Sequence, residues 1–99
     1  MLALIALALG AQNFGPTPTN PLARCMSLYA APRLKDVPTA TIVAGAMQAC
    51  AREWKAERQN DIRALGPERG EAAYQIERSK IQEHMIGFVN AAKAQRGYR

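Results

Sequence analysis

Residues 39–65, TATIVAGAMQACAREWKAERQNDIRAL, carry no proline, yet Pro38 precedes them and Gly66-Pro67 follows. Within them Val43, Ala46, Met47, Cys50 and Trp54 recur at i, i+3, i+4, i+7 and i+11. That spacing places them on one stripe of an α-helix and on no single face of a strand. A helix of this length runs about 40 Å. The chain has 99 residues, so whatever else it forms must be arranged around this element. The stretch also holds the one Trp and one of the two Cys.

Two shorter patterns flank it. Asn20-Pro21 predicts a helix start, with Asn able to accept a hydrogen bond from a free N–H and Pro suited to the first helical position. Leu22, Cys25, Met26 and Tyr29 follow at i, i+3, i+4 and i+7, and Pro32 ends the pattern near Ala30 or Ala31. Residues 32–38, PRLKDVP, then form a connection long enough to reverse direction. After Gly66, a candidate left-handed C-cap, PERG reads as a short turn. From Glu71 to about Arg96 the periodicity is helical again, with Ile81, Met85, Phe88 and Ala92 on one face and Gly97 just beyond. A connection of four to five residues joins the two long helices into an antiparallel hairpin.

The expected fold is therefore all-α: a short N-terminal helix packed on a long antiparallel two-helix hairpin. Few β-branched residues and many Ala, Arg, Glu, Gln and Lys agree with that reading. Pairing the arms about Gly66-Pro67 sets residues whose numbers sum to about 133 opposite each other. Met47 then faces Met85 to Phe88, Trp54 faces Ser79 to Ile81, and Val43 lies near Val89. Gly45 and Gly87, inside helices, each predict a close approach by a neighbour. Between Lys55 and Lys80 only Ile62, Leu65, Tyr74 and Ile76 are available to pack, so the hairpin tip is thin.

Cys25 and Cys50 each fall on the buried stripe of their own helix, where the first helix crosses the second. This placement predicts a disulfide closing a loop of about 26 residues, which stabilises by about 3 to 4 kcal/mol on a chain-entropy account. For a domain this small that is a large fraction of the whole. Two free buried thiols of a reduced protein are the competing reading.

Location bears on the choice. Residues 1–9, MLALIALAL, are apolar over the length of a signal-peptide core and too short to span a bilayer. Ala8-Leu9-Gly10 fits a small-x-small cleavage pattern, so residues 1–11 read as a signal peptide, 12–19 (QNFGPTPT with Ala11 before it) as a flexible linker, and 20–99 as one helical domain. No Lys or Arg precedes the run; a helical turn packed on the domain is the alternative. A lipoprotein reading fails because Arg24 stands where a small residue must precede Cys25. The expected location is periplasmic or secreted, which favours the disulfide.

Chemistry is sparse. Cys-x-x-Cys, a Gly-rich phosphate loop and Glu-x-x-His are all missing from the sequence. His84 pairs with Cys50 by the hairpin rule, but no third group is there to orient it. Glu53, Glu57 and Asp61 at i, i+4 and i+8 read as a solvated face neutralised by Arg52, Lys55 and Arg58. Neither a catalytic residue, a metal nor a cofactor is expected.

The leading expectation is a non-enzymatic interaction or structural protein of the cell envelope. It would meet an unidentified protein partner, or a second copy of itself, through the hairpin tip. The alternative starts from a net charge of +5. Arg52, Lys55, Arg63, Lys93, Arg96 and Arg99 would contact an anionic partner, a membrane surface or a polyanion. Charges of both signs are interspersed and aromatics are few, so nucleic acid is not the expected partner.

Overall fold

The computed structural model describes residues 20–98. The expected signal peptide and linker, and Arg99, lie outside the described residues. Four α-helices follow in order: α1 Pro21–Ala30, α2 Thr39–Ala49, α3 Ala51–Leu65 and α4 Pro67–Gln95, with a 3-10 turn Ala31–Arg33 after α1. Among the described residues there is no strand, and no helix is long and apolar enough to cross a membrane.

The start of α1 is set by Asn20, whose side-chain oxygen accepts from the Leu22 and Ala23 amides at 2.9 and 3.1 Å. With Pro21 at the first position, the free N–H groups of the first turn are largely answered. The end of α4 is built from a different device. Gly97 has φ +76, its amide donates to Ala94 O and the Tyr98 amide donates to Lys93 O. This is the paired bonding of a Schellman cap, and it tucks Tyr98 against the core.

The core gathers Leu22, Met26 and Ala30 from α1, Ile42, Val43, Ala46 and Met47 from α2, Cys50, and Trp54 from α3. Tyr74, Met85, Val89 and Ala92 face them from α4. The stripe expected along 39–65 is thus buried at every position. On α4 the buried face is centred on Val89, while Phe88 is 39% exposed and Ile81 only partly covered. Leu34, inside the connection after α1, is also fully buried.

The long second helix is not continuous. Cys50 has φ −99 and ψ 26, so it divides α2 from α3. The amide bonds Cys50 to Ala46 O and Trp54 to Cys50 O persist at 3.0 Å, which preserves the helical phase across the break. Periodicity therefore runs through it unbroken, and a sequence pattern cannot report a one-residue departure of this kind. The same residue is the tether: Cys25 and Cys50 form a disulfide, with Cα atoms 6.0 Å apart.

The hairpin turn differs from expectation as well. α4 begins at Pro67, so PERG is its first turn and Gly66 alone connects the arms. Gly66 has φ +91 and ψ 165, which is not the left-handed cap geometry but a region that essentially only glycine enters. A turn this short brings the arms together at once. A Cβ on Gly70 would fall onto the backbone of Asp61 and Ile62. Shortening the turn also changes the register: Trp54 meets Tyr74, not Ser79 to Ile81, in an edge-on contact with centroids 6.0 Å apart. Thr39 on α2 reaches Asn90 at 2.6 Å.

The helix glycines separate cleanly. A Cβ on Gly45 would strike the Tyr29 ring and hydroxyl, so α1 does pack closely there. Gly87, by contrast, has nothing within 4 Å of that position and lies on the exposed side of α4. The close contact expected there is not made. Gly45→Ala and Gly70→Ala should each destabilise by about 1 to 3 kcal/mol, the usual range for overpacking. Gly87→Ala should stabilise by about 0.5 to 1 kcal/mol through helix propensity and a restricted unfolded chain. Urea unfolding of the three variants against the parent checks both signs.

Candidate functional site

The sequence-predicted residues are best followed from the staple outward. Cys25 is half-buried and Cys50 fully buried. The Glu53 carboxylate lies close by, and Cys25, Cys50 and Glu53 place one donor atom each within 4.8 Å of one another. Two of those atoms are sulfurs bonded to each other, so as it stands the group is no ligand set. His84, expected opposite Cys50, is instead exposed beside Met26, Met85 and Phe88, at a shallow groove between α1 and α4.

The six cations do not make one surface. Lys93 is only 6% exposed, and its ammonium donates to Leu34 O at 2.8 Å and Val37 O at 2.5 Å. It is a structural cation, because those carbonyls lie in the connection that follows the 3-10 turn, outside any helix, and need donors. Arg63 sits near the Gly66 turn and donates to Asn60 Oδ1 at 3.0 Å. Arg96 caps the opposite end of α4, a helix of 29 residues and so about 43 Å long. Arg99 lies outside the described residues. Only Arg52 and Lys55 remain near neighbours, both exposed and one turn apart on α3.

A more coherent basic surface arises between the arms. Lys55 and Arg58 of α3 and Arg78 of α4 border a groove whose floor includes Trp54 and Tyr74. The Arg78 guanidinium lies 5.5 Å from the Trp54 ring centroid, within cation–π range. Arg58 donates through Nε to Glu71 at 2.5 Å. The Trp54 indole N–H is buried and has no acceptor. Arg78 and this groove were not read from the sequence. The signal available was Arg78, next to Ser79 in the expected pairing and so already near Trp54, but a lone cation does not stand out in a hydrophobic pattern.

The acidic residues Glu53, Glu57 and Asp61 are half-buried and not the solvated face expected. The reason is visible in the spacing. The inward stripe Cys50, Trp54 continues at Glu57 and Asp61, so beyond Trp54 the side of α3 that faces α4 becomes acidic. Arg58, expected to neutralise this stripe, pairs with Glu71 across the hairpin, and that is the one ion pair among the described residues. Loss of solvent against α3, then a hydrogen bond with Asp61 and the charges of Asp61 and Glu57, push the Glu77 carboxyl above the ordinary glutamate value. One Asp61 oxygen is itself buried without a donor. Glu71 moves the other way: hydrogen bonds from Gln75 and Arg58 hold its carboxyl below the usual range.

At the tip, Leu65 is 42% and Ile76 58% exposed, while Gly70 and Tyr74 are buried. The arms here are held by backbone proximity at Gly70 rather than by interlocking side chains, as the scarcity of apolar residues predicts. Exposed apolar side chains are not confined to the tip, since Leu28 of α1 is 64% exposed.

Two expected outcomes follow from these placements. Lys93→Met should destabilise by about 1 to 3 kcal/mol, because it strands two carbonyls in a covered site. Arg96→Met, at an exposed end, should stay within about 0.5 kcal/mol of the parent. Thermal denaturation of both variants distinguishes a buried structural cation from a surface one. The Glu77 carboxyl has a raised folded value, so its charge opposes folding as pH rises through the carboxylate range. Glu77→Gln removes that charge and offers Asp61 an amide donor. Its melting temperature should exceed the parent's at neutral pH, with the gap closing at acid pH where the parent's Glu77 is protonated.

No protein-family model matches the chain, and neither a curated protein nor a solved structure is significantly similar to it.

Proposed function

We propose that this chain is a small exported helical protein with a non-enzymatic interaction or structural role in the cell envelope, periplasmic or secreted. The observation that carries the reading is the uneven distribution of its core. The α1–α2 end is densely packed and stapled by Cys25–Cys50. The α3–α4 arms between Lys55 and Lys80 bury only Gly70 and Tyr74 and leave Leu65 and Ile76 exposed. A fixed base with a projecting, sparsely packed pair of arms suits contact with another surface. In this reading the tip meets a second copy of the chain or an envelope protein. A disulfide that ties two elements of one small domain is compatible with an oxidising compartment.

Two measurements test the parts separately. β-Lactamase fused after residue 19 should confer ampicillin resistance on the host, as only an exported enzyme protects the cell wall. Sensitive colonies with stable fusion protein remove the envelope assignment. In size-exclusion chromatography with light scattering, the parent should rise toward the mass of a dimer with concentration, and Leu65→Ser/Ile76→Ser should remain monomeric. If the parent stays monomeric throughout, and a photo-crosslinker at position 65 captures neither a second copy nor an envelope protein, the tip is not the contact surface.

A further inference from the structure

We propose that the groove between α3 and α4, bordered by Lys55, Arg58 and Arg78, binds the phosphate group of a small phosphate ester. Three observations converge on it. Charge comes first. Arg58–Glu71 is the only ion pair among the described residues, so Lys55 and Arg78 bring positive charge to the groove that no carboxylate answers. With Arg58 paired to Glu71, Lys55 and Arg78 still leave the depression net positive, and an anion placed among them relieves their repulsion.

The second observation is the chemical sense of the wall. An ammonium and two guanidiniums are donors that cannot accept, and the Tyr74 hydroxyl is the one side-chain group there able to do both. A ligand complementary to such a wall is rich in acceptors and poor in donors, which describes an oxyanion. Trp54 lies beneath these cations, 4% exposed and with its N–H enclosed, so it senses the groove without being part of its donor wall.

The third observation is geometric. The cations approach from two helices, Lys55 and Arg58 on α3 and Arg78 on α4. A carboxylate offers two oxygens in a plane, whereas a phosphate offers oxygens distributed about a centre, and guanidinium forks match them in pairs. The groove volume is about 270 Å³. That lies just below the usual range for drug-sized ligands, so it accommodates a headgroup-sized ester rather than a larger body. The site lies on the flank of the hairpin, and it stands or falls independently of association through Leu65 and Ile76.

The test uses Trp54 as reporter, because it is the chain's only Trp. The full domain with its disulfide intact is titrated at low ionic strength with glycerol phosphate, and separately with phosphatidylcholine vesicles containing phosphatidylglycerol. Saturable changes in Trp54 fluorescence, matched by equilibrium dialysis or co-sedimentation, are expected. Lys55→Gln/Arg78→Gln should weaken binding about tenfold or more, as two charge-assisted contacts are lost. Arg52→Gln/Arg63→Gln, which removes the same net charge outside the groove, should change it by about twofold or less. Should the first pair disturb the helical circular dichroism, Lys55→Gln alone, at an exposed position, carries the same comparison. Response to both probes makes the ligand a lipid headgroup; response to glycerol phosphate alone makes it a free ester. The proposal is overturned by absence of response to either probe, by equal weakening in the two double variants, or by tighter binding of a polyglutamate peptide.

Discussion

The bond between Cys25 and Cys50 governs this structure because of where it lands. It joins the middle of α1 to the single residue at which α2 gives way to α3. A staple placed elsewhere along the pair would constrain two helices. Placed at the break, it constrains three, since the relative direction of α2 and α3 depends on the backbone of Cys50. Around it the small apolar residues Ala30 and Ala46 are fully buried, and Gly45 admits the Tyr29 ring. The Arg33 guanidinium lies 3.8 Å from the centroid of that ring and donates to Tyr29 O, which ties the 3-10 segment back to α1. A core this small, with one Trp and otherwise Ala, Met, branched aliphatics and one Tyr, would hold such precise neighbours poorly without a covalent constraint.

From that base the seam between α3 and α4 changes character along its length. Near the staple it is apolar, then aromatic at Trp54 and Tyr74, and past them acidic at Glu57, Asp61 and Glu77. The seam stays closed there because Gly70 lets the backbones approach and because Arg58 reaches across to Glu71. Carboxylates turned toward a helix interface usually signal a cost. Here the cost is moderated because Glu57 and Asp61 are only half-buried and Glu77 is exposed.

Much of this was legible in the residues. The stripe from Val43 to Trp54, the cap at Asn20, the disulfide and the tight site at Gly45 all follow from spacing and local chemistry, and each is present. What escaped has two physical causes. The first is turn geometry: nothing in Gly66-Pro67-Glu68-Arg69-Gly70 by itself distinguishes a four-residue turn from a one-residue turn followed by helix. That one ambiguity moved the partner of Trp54 from Ser79 to Tyr74, more than a full helical turn. The second is that polar side chains have no fixed address in a hydrophobic pattern. Lys93 reads as part of a basic tail, yet it is buried by carbonyls from a loop about sixty positions earlier in the chain. Leu34 escaped for the same reason, a lone apolar residue in a connection that tertiary packing recruits. The basic groove escaped for that reason too, since Lys55, Arg58 and Arg78 read as scattered charges until the two arms are packed.

The one-residue turn at Gly66 carries a consequence for how a chain of this design can vary. An ordinary loop absorbs insertions, because extra residues bulge into solvent without moving what they connect. This hairpin has no such reserve. A residue added at the turn would rotate α4 by about 100° relative to α3 and carry Gly70 away from the Asp61–Ile62 backbone. Growth is possible only by lengthening both arms together, in matched steps of about seven residues that return each face to its partner. The length of the hairpin is therefore quantised, and its tip can be moved outward by whole increments or not at all.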